Sequence, residues 1–374
     1  MAALVRIDVA PALPPPASQT GFIHTLRERV FNSVSGGVLA VVIALLLFWI
    51  AWTLFDWAII RAVWSAPDRE LCNVEGAGAC WPFIKARTAQ WIYGFYPSPQ
   101  RWRVDIIYGI GALALAGLLI PGIPFKTWNA IFFFAVYPAI AFYLLLGGWF
   151  GLETVDTEQW GGLLVTLVLS ITAIVVSMPL GILLALGRRS NMPIVSLLCT
   201  IFIEMVRGVP LVLVLFMAAN MFPLFMPPGV NPDKLLKAII GTSLFASAYM
   251  AEIIRGGLQA IPKGQYEGAQ AMGLSYWKTM GLIIMPQALK VVIPSIVNNF
   301  ISLFKDTSLV TVVGIYDLLG IVQSGFNDPK WASAQTANTG YFGLALIYWV
   351  ICFSMSRYSM FIERRLNTGH TRSS

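Results

Sequence analysis

Long apolar runs recur along this chain. Each is roughly 18–25 residues, enough to cross ~30 Å of hydrocarbon as a helix. The composition agrees, with 57% hydrophobic and only 11% charged residues, where a soluble chain would be about a quarter charged. Ten-residue stretches of alternating polarity are absent, which argues against a β-barrel. The expected fold class is therefore an all-α polytopic membrane protein with about eight transmembrane helices. The net charge of +7 is not read as a nucleic-acid signal. Basic residues lie at the ends of the apolar runs and in loops, as in a protein held against anionic lipid.

Residues 1–35 are polar and carry Pro11, Pro14, Pro15 and Pro16, so a disordered cytoplasmic tail is expected there. The apolar runs place spans at about 36–60, 104–120 and 128–148, with a loop at 61–103. These make an accessory unit of three spans over 36–150. A fourth span is expected at about 160–186. Residues 193–223 are too long for one crossing and are broken by Arg207-Gly-Val-Pro210. They read as an interfacial helix over 193–205 followed by a fifth span over 208–223, with Pro210 in its first turn. The sixth span is placed at 238–254, the seventh at 284–304, and the eighth at 341–362. A shorter apolar helix over 308–323 need not cross. Residues 366–374 form a second cytoplasmic tail.

Arg188, Arg189, Arg255, Lys263, Lys278, Arg364 and Arg365 fall on one side of this topology. The positive-inside rule makes that side cytoplasmic, with both termini inside. The 61–103 loop is then periplasmic, although its own arginines oppose the rule. The aromatic residues of 81–102 are expected in an interfacial belt. Cys72 and Cys80 lie in this external loop, and a disulfide between them is plausible in an oxidising compartment. Cys199 and Cys352 lie in apolar runs and read as plain core residues.

No Gly-x-x-x-x-Gly-Lys-Ser/Thr stretch exists in the sequence, so the chain has no phosphate-cradling loop and should not hydrolyse ATP. Its two histidines, His24 and His370, fall in the tails, which argues against a histidine metal site or a triad. No enzyme and no cofactor are expected in this chain.

Two polar stretches carry the functional reading. Between spans six and seven, Pro262 and Gly264 open a short helix and Gly273 can close it in the left-handed conformation. The predicted coupling loop is 262–274. Its coupling residues are Gly264, Glu267, Gly268, Ala269, Ala271 and Gly273, and Gly268, Ala269 and Ala271 make a surface small enough to let another protein approach the backbone. Glu204 with Arg207 and Glu252 with Arg255 are each three apart and share a helix face. They read as interfacial ion pairs or as part of a docking surface. The second stretch is Asn298-Asn-Phe-Ile-Ser-Leu-Phe-Lys-Asp-Thr-Ser-Leu309. Asn298, Asn299, Asp306, Thr307 and Ser308 are candidate substrate contacts. Asp306, Thr307 and Ser308 are all good N-caps, so a half-helix is expected to start there, its N–H groups facing a substrate carboxylate and Asp306 facing an ammonium. The alternative is that Asp306 only caps a helix and Asn299 joins two spans.

Four motifs together resemble a known family. They are Ile203-Glu-Met-Val-Arg-Gly-Val-Pro-Leu211, Ala251-Glu-Ile-Ile-Arg-Gly-Gly-Leu-Gln-Ala-Ile-Pro-Lys-Gly-Gln265, Glu267-Gly-Ala-Gln-Ala-Met-Gly273 with Met285-Pro-Gln-Ala-Leu289, and Ile301-Ser-Leu-Phe-Lys-Asp-Thr-Ser-Leu309. The chain resembles the permease subunits of polar amino acid ABC importers of the histidine/glutamine/arginine type. The additional N-terminal spans look most like the M-type subunit of general L-amino acid importers. The resemblance implies a type I permease core of five helices over 151–365, and an EAA loop at 262–274 that docks on an ATPase. It also implies a second related permease, two ATPase subunits that bind ATP and magnesium, a periplasmic amino acid binding protein, and a place in the bacterial inner membrane. Gly268 stands where the family usually has alanine, and Asn299 is neutral where relatives can carry an acid. A secondary transporter working alone, and a scaffold half that does not touch substrate, are the rival readings.

Overall fold

The computed structural model describes residues 33–120, 122–149, 151–227, 229–230 and 232–366. Among these residues the chain is helical, with two isolated β-bridges and no strand. Seven helices are long and apolar enough to cross a membrane, and one bent pair makes an eighth. The predicted 1–35 and 366–374 tails lie outside the described residues, apart from Ser33–Ser35 and Leu366. These four belong to the flanking helices or, for Ser33, cap one of them.

The helices are α1 (Val34–Ile60), α2 (Trp81–Tyr93), α3 (Arg101–Leu119), α4 (Lys126–Leu146), α5 (Gly162–Arg188) and α6 (Pro193–Arg207). They continue as α7 (Leu211–Phe225), α8 (Lys234–Ala260), α9 (Lys263–Ala271), α10 (Tyr276–Val313), α11 (Leu318–Ser324) and α12 (Thr336–Leu366). The segments expected as an interfacial helix and a fifth span are α6 and α7, which are long and apolar enough to cross only as a pair. They meet at 104°, because Gly208 and Pro210 end one helix and Pro210 caps the next. In three spans a π turn stops two residues before a proline: Phe132–Val136 before Pro138, Met217–Met221 before Pro223, and Thr279–Ile284 before Pro286. Proline supplies no N–H and its ring presses on the preceding turn, which widens to relieve it.

The body is built on α5 and α8, which pack along most of their length, with α10 against α8 and α12 against α10. At Gly257 of α8 an added Cβ would sit 2.7 Å from the Ala288 carbonyl oxygen of α10. Only a glycine lets these two backbones come so close. Met250, Ile254, Leu258, Ile284 and Ala288 fill one end of the core. At the other end Val104, Ile107, Tyr137 and Leu145 of the accessory helices pack with Leu164, Leu215 and Leu235. Helix α1 instead has no buried residue over Val34–Phe55. A helix apolar on every side is at home in lipid without protein neighbours.

The 61–103 segment departs from expectation. Some of its aromatic residues face protein where an interfacial belt was expected, while Phe95 and Trp102 stay exposed. Phe83 and Trp91 on α2 are buried with Leu318, Ile321, Val322 and Leu344 of α11 and α12. Cys72 and Cys80 are bonded, with Cα atoms 5.6 Å apart, and both are buried in the same cluster. The Cys80 N–H donates to Thr339 Oγ1 on α12 at 2.9 Å, and Arg87 pairs with Asp328. Indole and phenyl rings that find a protein surface bury more area there than at a lipid headgroup.

Candidate functional site

Two regions follow from the sequence: the polar loop between α8 and α10, and the polar stretch along α10. The first holds a short helix, Lys263–Ala271. Pro262 precedes α9 with φ −57°. The far end is closed by a Schellman motif. Gly273 takes φ +72°, its N–H donates to the Gln270 carbonyl at 2.9 Å, and the Leu274 N–H donates to the Ala269 carbonyl at 3.2 Å. The last carbonyls of the helix are thereby satisfied by the chain itself.

Gly264, Glu267, Gly268, Ala271 and Gly273 are exposed, and a Cβ added at Gly264, Gly268 or Gly273 would meet nothing within 4 Å. Ala269 does not belong with them. It is buried, because it lies on the face of α9 turned to the body. Large apolar side chains extend the open surface, with Met272, Tyr276 and Trp277 all exposed. The inner face is anchored by Tyr266. Its hydroxyl donates to the Leu258 carbonyl at 3.2 Å and accepts from Arg189, the residue that caps the end of α5, at 3.3 Å, and the Arg189 guanidinium lies over its ring. Gln287 of α10 donates to Gln265 at 3.2 Å. Helix α9 thus touches the ends of α5, α8 and α10 together.

Beneath it lies an ion network. Glu252 of α8 pairs with Arg255 on its own helix, as the spacing predicts. Glu204 and Arg207 do not pair with each other. Glu204 of α6 accepts from Arg188 of α5 at 2.8 Å, Arg188 also donates to Glu252 at 3.2 Å, and Arg207 stands 3.8 Å from Glu252. Arg207, the last residue of α6, reaches α8, where its guanidinium also covers the Tyr249 ring. Three helices are tied by one carboxylate among three arginines. The i,i+3 spacing carried no sign of this, since Arg188 is far away in sequence.

The α10 stretch corrects a second expectation. No half-helix begins at Asp306. The α-helical part runs to Asp306 and tightens into a 3₁₀ turn over Thr307–Val313. The hydroxyls that were expected to cap turn back instead: Thr307 donates to the Phe304 carbonyl and Ser308 to the Lys305 carbonyl, both at 2.8 Å. The break comes later, at Gly314 with φ +77°. Thr307 is buried, Asp306 and Asn299 are half-buried, and the Asn299 amide nitrogen has no partner among the described residues. Asn298 is exposed. It belongs to a stripe that the sequence reading missed, Ser295, Asn298, Ser302 and Lys305, all exposed on one face of a span. Steps of three and four along a helix would have disclosed it. Such a face is costly against lipid and suits water or protein.

A buried carboxylate outside the spans, Asp317, was also not foreseen. It is fully buried, caps α11 by accepting the Gly320 N–H at 2.9 Å, accepts from Thr311 at 3.0 Å, and faces the Tyr348 hydroxyl at 3.4 Å. Burial pushes its carboxyl above the usual carboxylate range, against these donors.

The inner membrane amino-acid ABC transporter permease protein YhdY of Escherichia coli is 49% identical over 346 residues, covering 92% of this chain and 93% of its own. The glutamate/glutamine/aspartate/asparagine transport system permease protein BztC of Rhodobacter capsulatus is 40% identical, covering 98% of each chain. A crystal structure of an amino acid ABC transporter with histidines matches 55% of this chain and 92% of its own, at 31% identity and a TM-score of 0.49. Residues 177–368, which hold α9, the ion network and the whole of α10, match the family described as binding-protein-dependent transport system inner membrane component. This chain belongs to that family of inner membrane transport components.

Proposed function

We propose that this chain is a permease subunit of an ATP-binding-cassette importer and moves L-amino acids inward by alternating access. The observation that carries the reading is the build of α9. It is a short exposed helix, closed at its far end by Gly273, and bonded on its inner face to the end of α5, to α8 and to α10. A push on its outer face is delivered to three spans at once. Its small exposed residues and the apolar Met272 and Trp277 suit a groove in a soluble ATPase. The complex would hold two such ATPase subunits, which bind ATP and magnesium, and a periplasmic binding protein.

The polar face of α10 supports a second permease subunit as the other wall of the path. A stripe of amide, hydroxyl and ammonium groups along a candidate span needs a polar neighbour, and a water-filled cavity between two permeases provides one. The relatives named for amino acids, and for glutamate, glutamine, aspartate and asparagine, support the substrate class. In this reading the arginine-rich end with α9 is cytoplasmic, and the disulfide end is periplasmic. The stand-alone transporter reading lacks a comparable support.

The test is reconstitution with the partner subunits in liposomes. Glu267→Lys and Gly273→Pro should uncouple ATP hydrolysis from amino acid uptake or release the ATPase. Normal uptake in both variants, or uptake driven by an ion gradient with no ATPase present, contradicts the proposal.

A further inference from the structure

A crevice of about 790 Å³ separates the accessory helices from the core, within the range of about 300–1,000 Å³ usual for ligand sites. Ala141 and Leu145 of α4 form one wall, and Val168 of α5 and Ile239 of α8 the other. Two tyrosines line it, but their hydroxyls are spent on backbone: Tyr108 donates to the Ile92 carbonyl and Tyr137 to the Ile107 carbonyl. Apart from Thr172 at its inner end, the wall offers hydrocarbon. Phe142 and Leu236, 57% and 48% exposed, stand at its side, so it opens toward the bilayer.

Its depth and its mouth identify the occupant. Along α5 the lining runs from Leu164 to Thr172, about 12 Å of helix. That is close to one leaflet of a hydrocarbon core of ~30 Å. The mouth, at the end of the protein that holds the disulfide, is acidic: Asp156, Glu158 and Asp233 line it. Asp233 is occupied, capping α8 at the Leu236 N–H and accepting from Thr157. Asp156 and Glu158 are exposed and have no ion-pair partner among the described residues. Lys234, next to Asp233, is exposed as well.

We infer that this crevice holds one phospholipid with a primary-amine headgroup, phosphatidylethanolamine, as a structural ligand between accessory unit and core. The acyl chains fill the apolar walls. The ammonium meets the Asp156 and Glu158 carboxylates, and the phosphate is left to Lys234. An anionic headgroup would face two unpaired acids, which disfavours phosphatidylglycerol. The inference does not depend on the transport reading.

The experiment is native mass spectrometry of the full complex, taken from nanodiscs of equal phosphatidylethanolamine and phosphatidylglycerol into mild detergent. The wild-type complex should retain one phosphatidylethanolamine. Asp156→Asn with Glu158→Gln should lower its preference over phosphatidylglycerol by about fivefold, the size expected for charges at a membrane surface. Ala141→Trp should remove the retained lipid by filling the crevice. The surface double variant keeps the test open if the tryptophan variant does not assemble. Retained lipid that mirrors the bulk ratio, no retained lipid at all, or an assembled Ala141→Trp complex that keeps its phosphatidylethanolamine, each overturns the inference.

Discussion

Replacing Glu252 by glutamine removes a carboxylate shared by three arginines. Arg255 donates to both of its oxygens, Arg188 stands at 3.2 Å and Arg207 at 3.8 Å. Removing one partner of a fully buried ion pair costs about 3–5 kcal/mol, since it leaves an uncompensated charge. Glu252 keeps 22% of its side chain exposed, so water screens part of that loss, and the expected cost is about 2 kcal/mol. For a core of this size that lowers the melting temperature by about 4–8 °C. Glu204→Gln is the internal control. Glu204 meets one arginine and is 54% exposed, so its loss should cost under about 0.5 kcal/mol. The assay is thermal unfolding of the purified complex in detergent, followed by size-exclusion or intrinsic fluorescence. Equal melting temperatures for the two variants would refute the reasoning, because only the geometry around Glu252 distinguishes them. A melting temperature for Glu252→Gln within about 1 °C of wild type would do the same.

Further outcomes are expected elsewhere in the fold. Gly257→Ala drives a methyl against the Ala288 carbonyl, and overpacking of this kind costs about 1–3 kcal/mol, to be read as lost thermal stability. Replacing Cys72 and Cys80 by serine opens a loop of eight residues' separation and should cost about 2.5 kcal/mol, with no change when wild type is already fully reduced. Asp317 carries the pH prediction. Its carboxyl is raised by burial, so its contribution to stability is present below the ordinary carboxylate value of about 3.9 and is lost as pH rises through its folded value. The stability of wild type relative to Asp317→Asn should therefore fall from acid toward neutral pH in melts of the two proteins. A difference that grows as pH rises, or one that stays flat, contradicts this account.

How much of this was legible beforehand follows from what each feature depends on. The spans were legible because lipid demands an unbroken apolar run, and that demand is local. The bend at Gly208 and Pro210, and the closure of α9 by Gly273, were legible for the same reason: a missing N–H and a left-handed residue act where they stand. The pairing of Glu204 with Arg188 was hidden because it depends on how α5, α6 and α8 meet. Thr307 and Ser308 misled for another reason. Their hydroxyls serve equally well as caps or as donors to the carbonyl three residues back, and the sequence does not choose between the two. The buried aromatics of α2 show the same limit, since a tryptophan suits a protein surface as well as an interface. Ala269 is buried although its neighbours on α9 are exposed, because a small side chain fits a packed face as well as an open one.

The central claim is that α9 is the socket through which a separate motor acts, and its location decides the matter. Ala271→Cys places a thiol on its exposed outer face. In inside-out vesicles carrying the full complex, this thiol should react with a membrane-impermeant maleimide when the ATPase is stripped away, and should cross-link to the ATPase when it is present. Labelling only from the opposite side of the membrane, or labelling that the ATPase does not alter, would contradict the account.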